Sequence, residues 1–489
     1  MKSVLKRIID LLKKIKARLF PPSSRSFHGA VQELSGRMAA MDKKLNRNFD
    51  LLKDREKYNE VMSYVLLHQG MEQRLRDKVR RGGKVKVFFI VQYIAKFECK
   101  SVYDAMEKSE LFEPYVLVTH PRDAYFAEEP ALIEETRRSY QIMTERGYRT
   151  ILGYDEQWHP IQLELYCPDI IFWNNPNMSS SSHYQNIYLN ANYLTCYTPY
   201  FFNTSDLSDK GRFAYNLENF QIMTTWKSFA EGYSAFYEMV EKGRGLTHIA
   251  LAERPRAWIN VNAVLSGYPK LDPYGEKDCV EIPDKINNGK PIVIYAPHWS
   301  VRCGVNLSTF HLFNRQFLQL VHEYPEINFV FKPHPDLRNR IVKLYNAGRS
   351  DTLTPAEYDA YVKEWDSLPN GMLVEDGEYI DLFKASSCLI TDSGSFIAEY
   401  LPSGHPCIYI LNPEKDDPLD FYNELGRKMV ESYYCCSDWE TIEAYFEQVV
   451  IRGEDPNREL RRQIADGAFV NIGTAGQFIC DYLENLLTD

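Results

Sequence analysis

From Lys84 onward, the chain alternates short, almost wholly apolar segments with longer polar stretches. Apolar segments of this length are typical of strands that are buried on both faces of a sheet. When helices separate such strands, the pattern predicts parallel sheets that are covered by helices on both sides. The predicted strands form two series, the first at 84–93, 115–121, 149–155, 169–175 and 192–201, and the second at 263–269, 291–297, 327–333, 387–392 and 406–411.

Two series of strands predict an α/β fold with two Rossmann-like domains facing each other across a cleft. We place the N-terminal domain at 84–262, the C-terminal domain at 263–455, and a C-terminal helix that packs back on the body at 456–489. A chain of 489 residues with 44% hydrophobic residues can form two or three such cores. The net charge of −10 argues against a nucleic-acid binder.

Residues 1–20 predict a basic amphipathic helix, which a hinge at 21–27 (PPSSRSF) follows. Val4, Ile8, Leu11, Leu12, Ile15 and Leu19 share one helical face, and lysines and arginines occupy most of the remainder. Such a helix suits an anionic membrane surface, where each cation contributes about 1 kcal/mol. The alternative is a helix that docks on its own protein or on a partner.

Other features bear on the compartment. No run of eighteen apolar residues and no secretory signal is visible in the sequence. The ten cysteines show no CxxC pair and no spacing typical of a metal site. We therefore expect reduced cysteines in a cytoplasmic protein that is peripheral on the inner face of the cell membrane.

Residues 28–82 predict a long, polar helical arm. Heptad a and d positions hold Val31, Leu34, Met38, Met41, Leu45 and Leu52, and Asn48 occupies one core position. This pattern predicts a short coiled coil and a homo-oligomer, since a buried Asn commonly fixes register and oligomeric state. A helical hairpin that packs on the body is the alternative.

In open parallel sheets, ligands bind outside the carboxyl ends of the strands. Three strands of the second series end in segments rich in hydrogen-bond donors, at 296–300, 332–335 and 391–395. The first of these segments contains His298, Trp299 and Ser300, which we predict to bind the ligand. For His298, packing is an equally weighted alternative.

The third segment has the sequence Asp-Ser-Gly-Ser and leads into a predicted helix. Backbone N–H groups and the hydroxyls of Ser393 and Ser395 predict an anion site, where Gly394 lets a phosphate approach the backbone. Glu399, about one turn into the helix, is a candidate acceptor of ribose hydroxyls. The alternative is an ordinary helix cap.

Between the other two segments in sequence lies Lys-Pro-His-Pro, 332–335. The prolines fix the loop, and Lys332 and His334, two residues apart on an extended chain, are predicted to project to the same side. A cation and an imidazole donor fit a diphosphate whose leaving oxygen gains charge as a bond breaks. A capped strand with a surface histidine is the alternative. No loop has P-loop spacing, and no metal or cofactor site is predicted.

These segments resemble those of the CDP-glycerol glycerophosphotransferases, the teichoic-acid primases and polymerases and their capsule-building relatives. The resemblance covers about 260–412 and is carried by 267–272 (GYPKLD), 295–297 (YAP) and the segments 332–335 and 391–395. It implies a GT-B fold, donor binding in the C-terminal domain and no metal requirement. It also implies transfer of glycerol phosphate from CDP-glycerol to a hydroxyl of a membrane-anchored acceptor, with release of CMP. His334 corresponds to a histidine near the donor diphosphate, and Ser393 and Ser395 to phosphate-binding serines.

The chain departs from the family on the acceptor side. The family polymerases carry a Trp-His-Gly-Thr-Pro segment whose histidine is thought to act as base, whereas the corresponding region here, 196–203, has no histidine. Tyr197 and Tyr200 are candidates to line the cleft, and His120 is a candidate base. Two other functions stay open: a GT-B glycosyltransferase that uses a nucleotide sugar, since the turn also resembles that of UDP-GlcNAc 2-epimerases, and a non-catalytic membrane-tethered scaffold.

Overall fold

A computed structural model of the chain describes residues 59–92, 94, 97–120, 129–174, 184–205, 220–237, 239, 262–276, 280–349, 352–375 and 379–489. The predicted membrane helix and hinge lie outside these residues, as do the heptad positions of the arm. From Val61 onward, the described residues belong to one compact unit.

Seven strands form the first sheet, and every pair of neighbours is parallel. They are β1 (Val85–Val91), β2 (Phe112–Val118), β3 (Thr150–Leu152), β4 (Ile170–Trp173), β5 (Leu194–Tyr197), β6 (Lys227–Ala230) and β7 (Ala263–Leu265). Their order is β3-β2-β1-β4-β5-β6-β7. The order reverses between β1 and β4, which places the topological switch point of this sheet there.

The second sheet has six strands and is also wholly parallel. They are β8 (Ile292–Ala296), β9 (Asn328–Phe331), β10 (Gly371–Leu373), β11 (Cys388–Thr391), β12 (Cys407–Ile410) and β13 (Tyr434–Cys436). The order β10-β9-β8-β11-β12-β13 reverses between β8 and β11. The two sheets share one architecture, so each has one switch point.

Helices connect the strands and cover both faces of the sheets. In the described ranges they are α1 (59–80), α2 (Lys100–Lys108), α3 (Glu129–Glu145), α4 (Asn186–Asn192), α5 (Phe220–Met223), α6 (233–237), α7 (Phe310–Glu323), α8 (Leu337–Asn346), α9 (Pro355–Ser367), α10 (Ile380–Ala385), α11 (Phe396–Tyr400), α12 (Glu424–Glu431), α13 (Trp439–Phe446), α14 (Arg458–Ala468) and α15 (Ala475–Thr488). Turns of 3₁₀ helix lie at Leu163–Leu165, Pro269–Gly275 and Leu401–Ser403. None of the described helices has both the length and the hydropathy to cross a bilayer.

The architecture confirms the predicted α/β fold with two Rossmann-like sheets. One strand was assigned to the wrong series, because β7 joins the first sheet, with Ala263 paired to Ser228 of β6. Only after β7 does the chain turn, at Gly267 (φ 86°), toward the second sheet. The short strands β6, β10 and β13 were not predicted.

The last helix packs against the N-terminal part of the unit. Its second residue, Gly476, lies so close to α2 that a Cβ atom there would be 2.5 Å from the carbonyl carbon of Ser101. Ile479, Cys480, Leu483 and Leu487 of α15 are buried in the core of the first sheet. The predicted single helix at 456–489 is two helices, α14 and α15.

Helix α1, the described end of the predicted arm, packs on the first sheet's domain. Leu75 is buried in that core. The indole of Trp226 donates to Glu72 over 2.8 Å, and Lys78 forms an ion pair with Asp169. Over 59–80 the arm is therefore a helix packed on the body; the coiled coil and its alternative, a helical hairpin, both involve residues upstream that lie outside the described ones.

Candidate functional site

The structure brings the three predicted segments of the second domain to neighbouring strand ends. Strand β8 lies between β9 and β11, and its last residue, Ala296, pairs with Thr391 at the end of β11. On the other side, Tyr295 pairs with Phe331, the last residue of β9. The loops that begin at 297, 332 and 392 therefore leave the sheet at one edge and at the same level, beside the switch point.

Two imidazoles meet at this edge. The ring centroids of His298 and His334 are 5.4 Å apart, and Trp299 lies 6.2 Å from His334. The backbone N–H of His334 donates to the carbonyl of Pro297 over 3.1 Å. His334 is 35% exposed, so its ring is open to solvent on one side. Sequence analysis predicted each of these residues at a strand end, and the fold places them together.

Ser300 determines which nitrogen of His298 carries the proton. Its hydroxyl accepts the N–H of Leu307 over 2.9 Å and is 2.7 Å from Nδ1 of His298. The backbone N–H of Ser300 donates to Nδ1 over 3.3 Å, so Nδ1 is an acceptor. The Ser300 hydroxyl therefore donates to the same nitrogen. Burial lowers the pKa of His298 to about 3, so at neutral pH the ring is uncharged and its proton is on Nε2.

The neutral ring of His334 favours the same tautomer, but a different backbone group determines it. Its Nδ1 accepts the backbone N–H of Asp336 over 3.1 Å. A neutral His334 therefore also carries its proton on Nε2. In their neutral forms, both rings thus carry their N–H donor on Nε2.

Asp392 ties these loops to the sheet. Its buried carboxylate accepts the backbone N–H of His298 over 2.6 Å through Oδ1. Through Oδ2 it accepts the backbone N–H of Thr309 over 2.5 Å and the Thr309 hydroxyl over 2.8 Å. Burial raises the pKa of Asp392 to about 6, and these hydrogen bonds limit the rise. The loop from His298 to Thr309 is therefore fixed at both ends by one carboxylate.

The serine turn follows Asp392 directly. The hydroxyls of Ser393 and Ser395 are 3.3 Å apart, and Ser395 is the less buried of the two. Gly394 does not present an open backbone face on its Cβ side, because a Cβ atom there would lie 2.6 Å from the ring of Phe421. The hydroxyl of Thr204, in the loop after β5, donates to the Gly394 carbonyl. This contact links the turn to the first domain.

Lys332 and Glu399 have partners other than those that the sequence suggested. The side chain of Lys332 is buried, and its Nζ lies 4.6 Å from the ring centroid of Tyr379. The phenol of Tyr379 donates to Oε2 of Glu399, and Oε1 is 3.5 Å from Lys270. Glu399 is buried, and both of its carboxylate oxygens have protein partners; its contact with ribose hydroxyls stays a prediction.

The candidates on the acceptor side are not brought together. His120 follows β2 and stacks on Tyr154 with centroids 4.8 Å apart. Tyr197 ends β5 and is buried against Trp173. Strands β1 and β4 lie between β2 and β5 in the sheet. Tyr200, in the loop after β5, contacts Phe201.

A small pocket that sequence analysis missed opens at the switch point of the first sheet. It is lined by Phe89, Ile90, Phe97, Cys99, Phe172, Trp173 and Asn174, which come from β1, β4 and the segments that follow them. Trp173 is buried, and its Nε1 has no hydrogen-bond partner among the residues that the structure describes. The strand-end rule, applied to the first series as it was to the second, points to Trp173 and Asn174.

Comparison with known proteins finds a family that is similar to part of the chain. The model of the family described as CDP-Glycerol:Poly(glycerophosphate) glycerophosphotransferase matches residues 250–431. No curated protein matches the chain. A solved variant of the wall teichoic acid polymerase TagF is 14% identical, with a TM-score of 0.50, and the match covers 89% of this chain and 98% of that one.

A second solved structure has the same architecture. It is described as a UDP-N-acetylglucosamine 2-epimerase from Listeria monocytogenes and is 14% identical, with a TM-score of 0.52 and coverage of 83% of this chain and 98% of that one. At this identity both likenesses establish the GT-B fold alone. The family match, in contrast, spans all four segments that carry the resemblance, from 267–272 to 391–395. The match over residues 250–431 therefore supports a CDP-glycerol glycerophosphotransferase-like enzyme, and the chain is similar to that family in this segment.

Proposed function

We propose that this protein is a membrane-associated transferase that moves glycerol phosphate from CDP-glycerol to a hydroxyl of a lipid-linked cell-envelope polymer, a teichoic acid or a capsule. One observation carries the proposal: two imidazoles and a serine turn meet at adjacent strand ends of the second sheet, within the segment that the family model matches. Neutral imidazole N–H groups and hydroxyls are donors suited to the oxygens of a diphosphate.

In the proposed reaction, the acceptor hydroxyl attacks the distal phosphorus of CDP-glycerol. The bond between that phosphorus and the bridging oxygen breaks, and the electron pair leaves with CMP. The hydroxyl proton passes to a base. Nε2–H of His298 and of His334 stabilises the negative charge that develops on the diphosphate oxygens, and Ser393 and Ser395 hold the same group. Preorganised donors act strongly here because they need no reorientation as charge develops.

Lys332 contributes charge rather than a direct contact. Its ammonium lies inside the protein on the ring of Tyr379, only two residues from His334. A buried charge acts over a longer distance than one in water, because the surrounding protein screens it less. Lys332 thus favours an anionic donor at this sheet edge.

On the acceptor side, we assign the polymer end to the pocket between β1 and β4. The Nε1–H of Trp173 is a buried donor, and an acceptor oxygen gives it a partner. The aromatic wall of the pocket suits the C–H faces of a glycerol or sugar unit. His120, Tyr197 and Tyr200 lie at or near other strand ends of the same sheet, and His120 stays the candidate base. Residues 1–20 bring the enzyme to the cytoplasmic membrane face.

The test is turnover of defined donors by the purified full-length protein. We expect CMP release from CDP-glycerol with a synthetic lipid-linked glycerol-phosphate primer, and no UDP release from UDP-N-acetylglucosamine. His334→Ala lowers the rate at least a hundredfold, whereas the exposed His322→Ala, on α7, leaves it unchanged. UDP release instead of CMP identifies a glycosyltransferase. If no donor reacts or shifts the melting temperature, the protein is a scaffold.

A further inference from the structure

The segment 267–275, here called the junction segment, contacts elements of both domains. The hydroxyl of Ser101 in α2 donates to the carbonyl of Pro269 over 3.2 Å. Asp272 accepts the first two N–H groups of α15, from Ala475 and Gly476. The phenol of Tyr274 donates to the carbonyl of Glu399 in α11 over 2.8 Å. The junction segment contains the GYPKLD motif, to which sequence analysis assigned no role.

Lys270 of the junction segment joins two buried carboxylates. Its Nζ is 3.0 Å from Oε1 of Glu98 and 3.5 Å from Oε1 of Glu399. Glu98 precedes α2 and lies between two residues that line the first-sheet pocket, Phe97 and Cys99. Glu399 belongs to α11, which begins directly after Ser395. One ammonium therefore connects the pocket in the first sheet to the serine turn in the second.

The connection extends to the Lys-Pro-His-Pro loop. Lys270 and Lys332 both approach the ring of Tyr379, at 4.9 and 4.6 Å from its centroid. The same phenol donates to Glu399. Two cations and one carboxylate thus contact Tyr379, and Lys270 links them to Glu98.

Lys270 keeps its charge in this environment. Burial by itself lowers the pKa of Lys270, but Glu399 and Glu98 together raise it well above the usual lysine value. Removal of the ammonium leaves two buried carboxylates without their shared cation, a change that is strongly destabilising. Substitution of Glu98, in contrast, leaves Lys270 paired with Glu399.

We propose that the Glu98–Lys270–Glu399 bridge positions the acceptor pocket relative to the donor turn, so that these three are positioning residues for transfer. The inference rests on the proposed function and adds a constraint to it. Attack on phosphorus requires the acceptor oxygen within about 3–3.5 Å of it, and a displacement of about 1 Å can cost a hundredfold in rate. Water needs no such placement, since it reaches the phosphorus without the pocket.

The ratio between the rates of transfer and hydrolysis of CDP-glycerol therefore reports on whether the bridge positions the acceptor. With CDP-glycerol and the synthetic primer, we expect Glu98→Ala to lower that ratio tenfold to a hundredfold while the melting shift induced by CDP-glycerol stays that of the wild type. Glu98→Gln keeps an acceptor for Lys270 and restores part of the ratio. Glu107→Ala is the matched control, since Glu107 on α2 forms an exposed pair with Arg149.

The outcomes separate the two proposals. Absence of CMP release from the wild type overturns the proposed function and with it the bridge. Normal wild-type turnover with an unchanged ratio in Glu98→Ala overturns the bridge alone. If Glu98→Ala lowers the rates of transfer and hydrolysis equally and also lowers the melting temperature, Glu98 has a structural role. That outcome also refutes the bridge as a positioning device. If Glu98→Ala does not fold, the ratio in Glu98→Gln decides: a wild-type value excludes a charge-dependent bridge, and a reduced one supports it.

Discussion

The imidazole of His298 lies 5.4 Å from that of His334, although the two residues follow different strands. Each ring is held through its own backbone: the N–H of His298 donates to Asp392, and the N–H of His334 donates to the Pro297 carbonyl. Both side chains also accept a backbone hydrogen bond through Nδ1, His298 from Ser300 and His334 from Asp336. Because both Nδ1 atoms accept backbone hydrogen bonds from their own loops, the proton of each neutral ring is on Nε2.

The Ser300 hydroxyl gives a first prediction. Ser300→Ala removes the short hydrogen bond to Nδ1 of His298 and leaves only the longer one from the backbone. The proton then distributes between both nitrogens, and we expect kcat with CDP-glycerol to fall about tenfold, with KM little changed. His298→Ala, which removes the donor altogether, costs about 10²–10³ in kcat. Steady-state CMP release measures both.

A matched control for this serine is Ser367→Ala. The Ser367 hydroxyl donates to a backbone carbonyl at the exposed end of α9, away from the described strand ends of the site. It should leave kcat at the wild-type value. A Ser300→Ala enzyme with full kcat contradicts the proposed tautomer of His298.

The raised pKa of Asp392 predicts that kcat decreases at acidic pH. As the pH falls through about 6, its carboxylate gains a proton and loses part of its capacity to accept the N–H groups of His298 and Thr309. The loop between them is then less firmly held, so we expect kcat to fall with a midpoint near pH 6. In Asp392→Asn, kcat is lower and this decrease is absent. A wild-type profile that stays flat to pH 5 disproves the assignment.

The same carboxylate predicts a pH dependence of the free energy of unfolding. Its sign is opposite to that of kcat, because protonation of Asp392 lowers kcat but favours folding. Its pKa is raised from 3.8 to about 6 in the folded chain, so between these values the folded state binds a proton that the unfolded state lacks. Its contribution therefore favours folding below pH 3.8 and is lost as the pH rises to 6, by about 3 kcal/mol in total. As the pH rises from 3.8 to about 6, the difference between the urea midpoints of the wild type and of Asp392→Asn (wild type minus variant) should fall.

Much of the fold was predictable because burial on both faces is a local property of a strand. Strands β4 and β8 are apolar throughout, β1 and β11 contain one polar residue each, Lys86 and Thr391, and all four were assigned as strands. Strand β6 escaped notice because it holds Lys227, whose ammonium lies over the rings of Trp226 and Tyr482. The sheet that β7 joins depends on contacts remote in sequence, which a local pattern does not contain.

In the site, the position of a residue after a strand end could be predicted, whereas the side chains that it contacts could not. His298, His334 and Ser395 were found from their places after strands, since all parallel strands end at one edge. Lys332 and Glu399 follow the same strands, yet Tyr379 and Lys270 draw their side chains into the protein. The partners of a side chain depend on residues that folding brings near, so spacing alone did not reveal the contacts of Lys332 and Glu399 with protein groups.

Gly267 offers a stability test of the junction segment. Its φ is 86°, and a Cβ atom would lie 2.3 Å from the carbonyl oxygen of Val470. Gly289 has a similar φ of 80° but open space around it, so Gly289→Ala serves as the matched control. We expect Gly289→Ala to cost about 1–2 kcal/mol from backbone strain and Gly267→Ala at least twice as much. Equal urea midpoints for the two variants rule out a close approach at Gly267.

The predicted membrane helix gives the last test. Deletion of residues 1–22 removes Lys2, Lys6, Arg7, Lys13, Lys14, Lys16 and Arg18, each of which contributes about 1 kcal/mol at an anionic surface. We expect the full-length protein to co-sediment with vesicles of 30% phosphatidylserine, a composition chosen for the assay, and the deletion variant to stay in the supernatant.

Two controls separate the charge from the apolar face. Vesicles of pure phosphatidylcholine should bind the full-length protein weakly, and added salt should weaken its binding to the anionic vesicles, because salt screens surface charge. The deletion variant should hydrolyse CDP-glycerol at the wild-type rate, since the donor turn and both histidines lie in the second domain. Its transfer to the lipid-linked primer should fall when that primer is embedded in anionic vesicles and recover when the primer is dispersed in detergent. Retention of the deletion variant on phosphatidylserine vesicles refutes residues 1–20 as the membrane anchor.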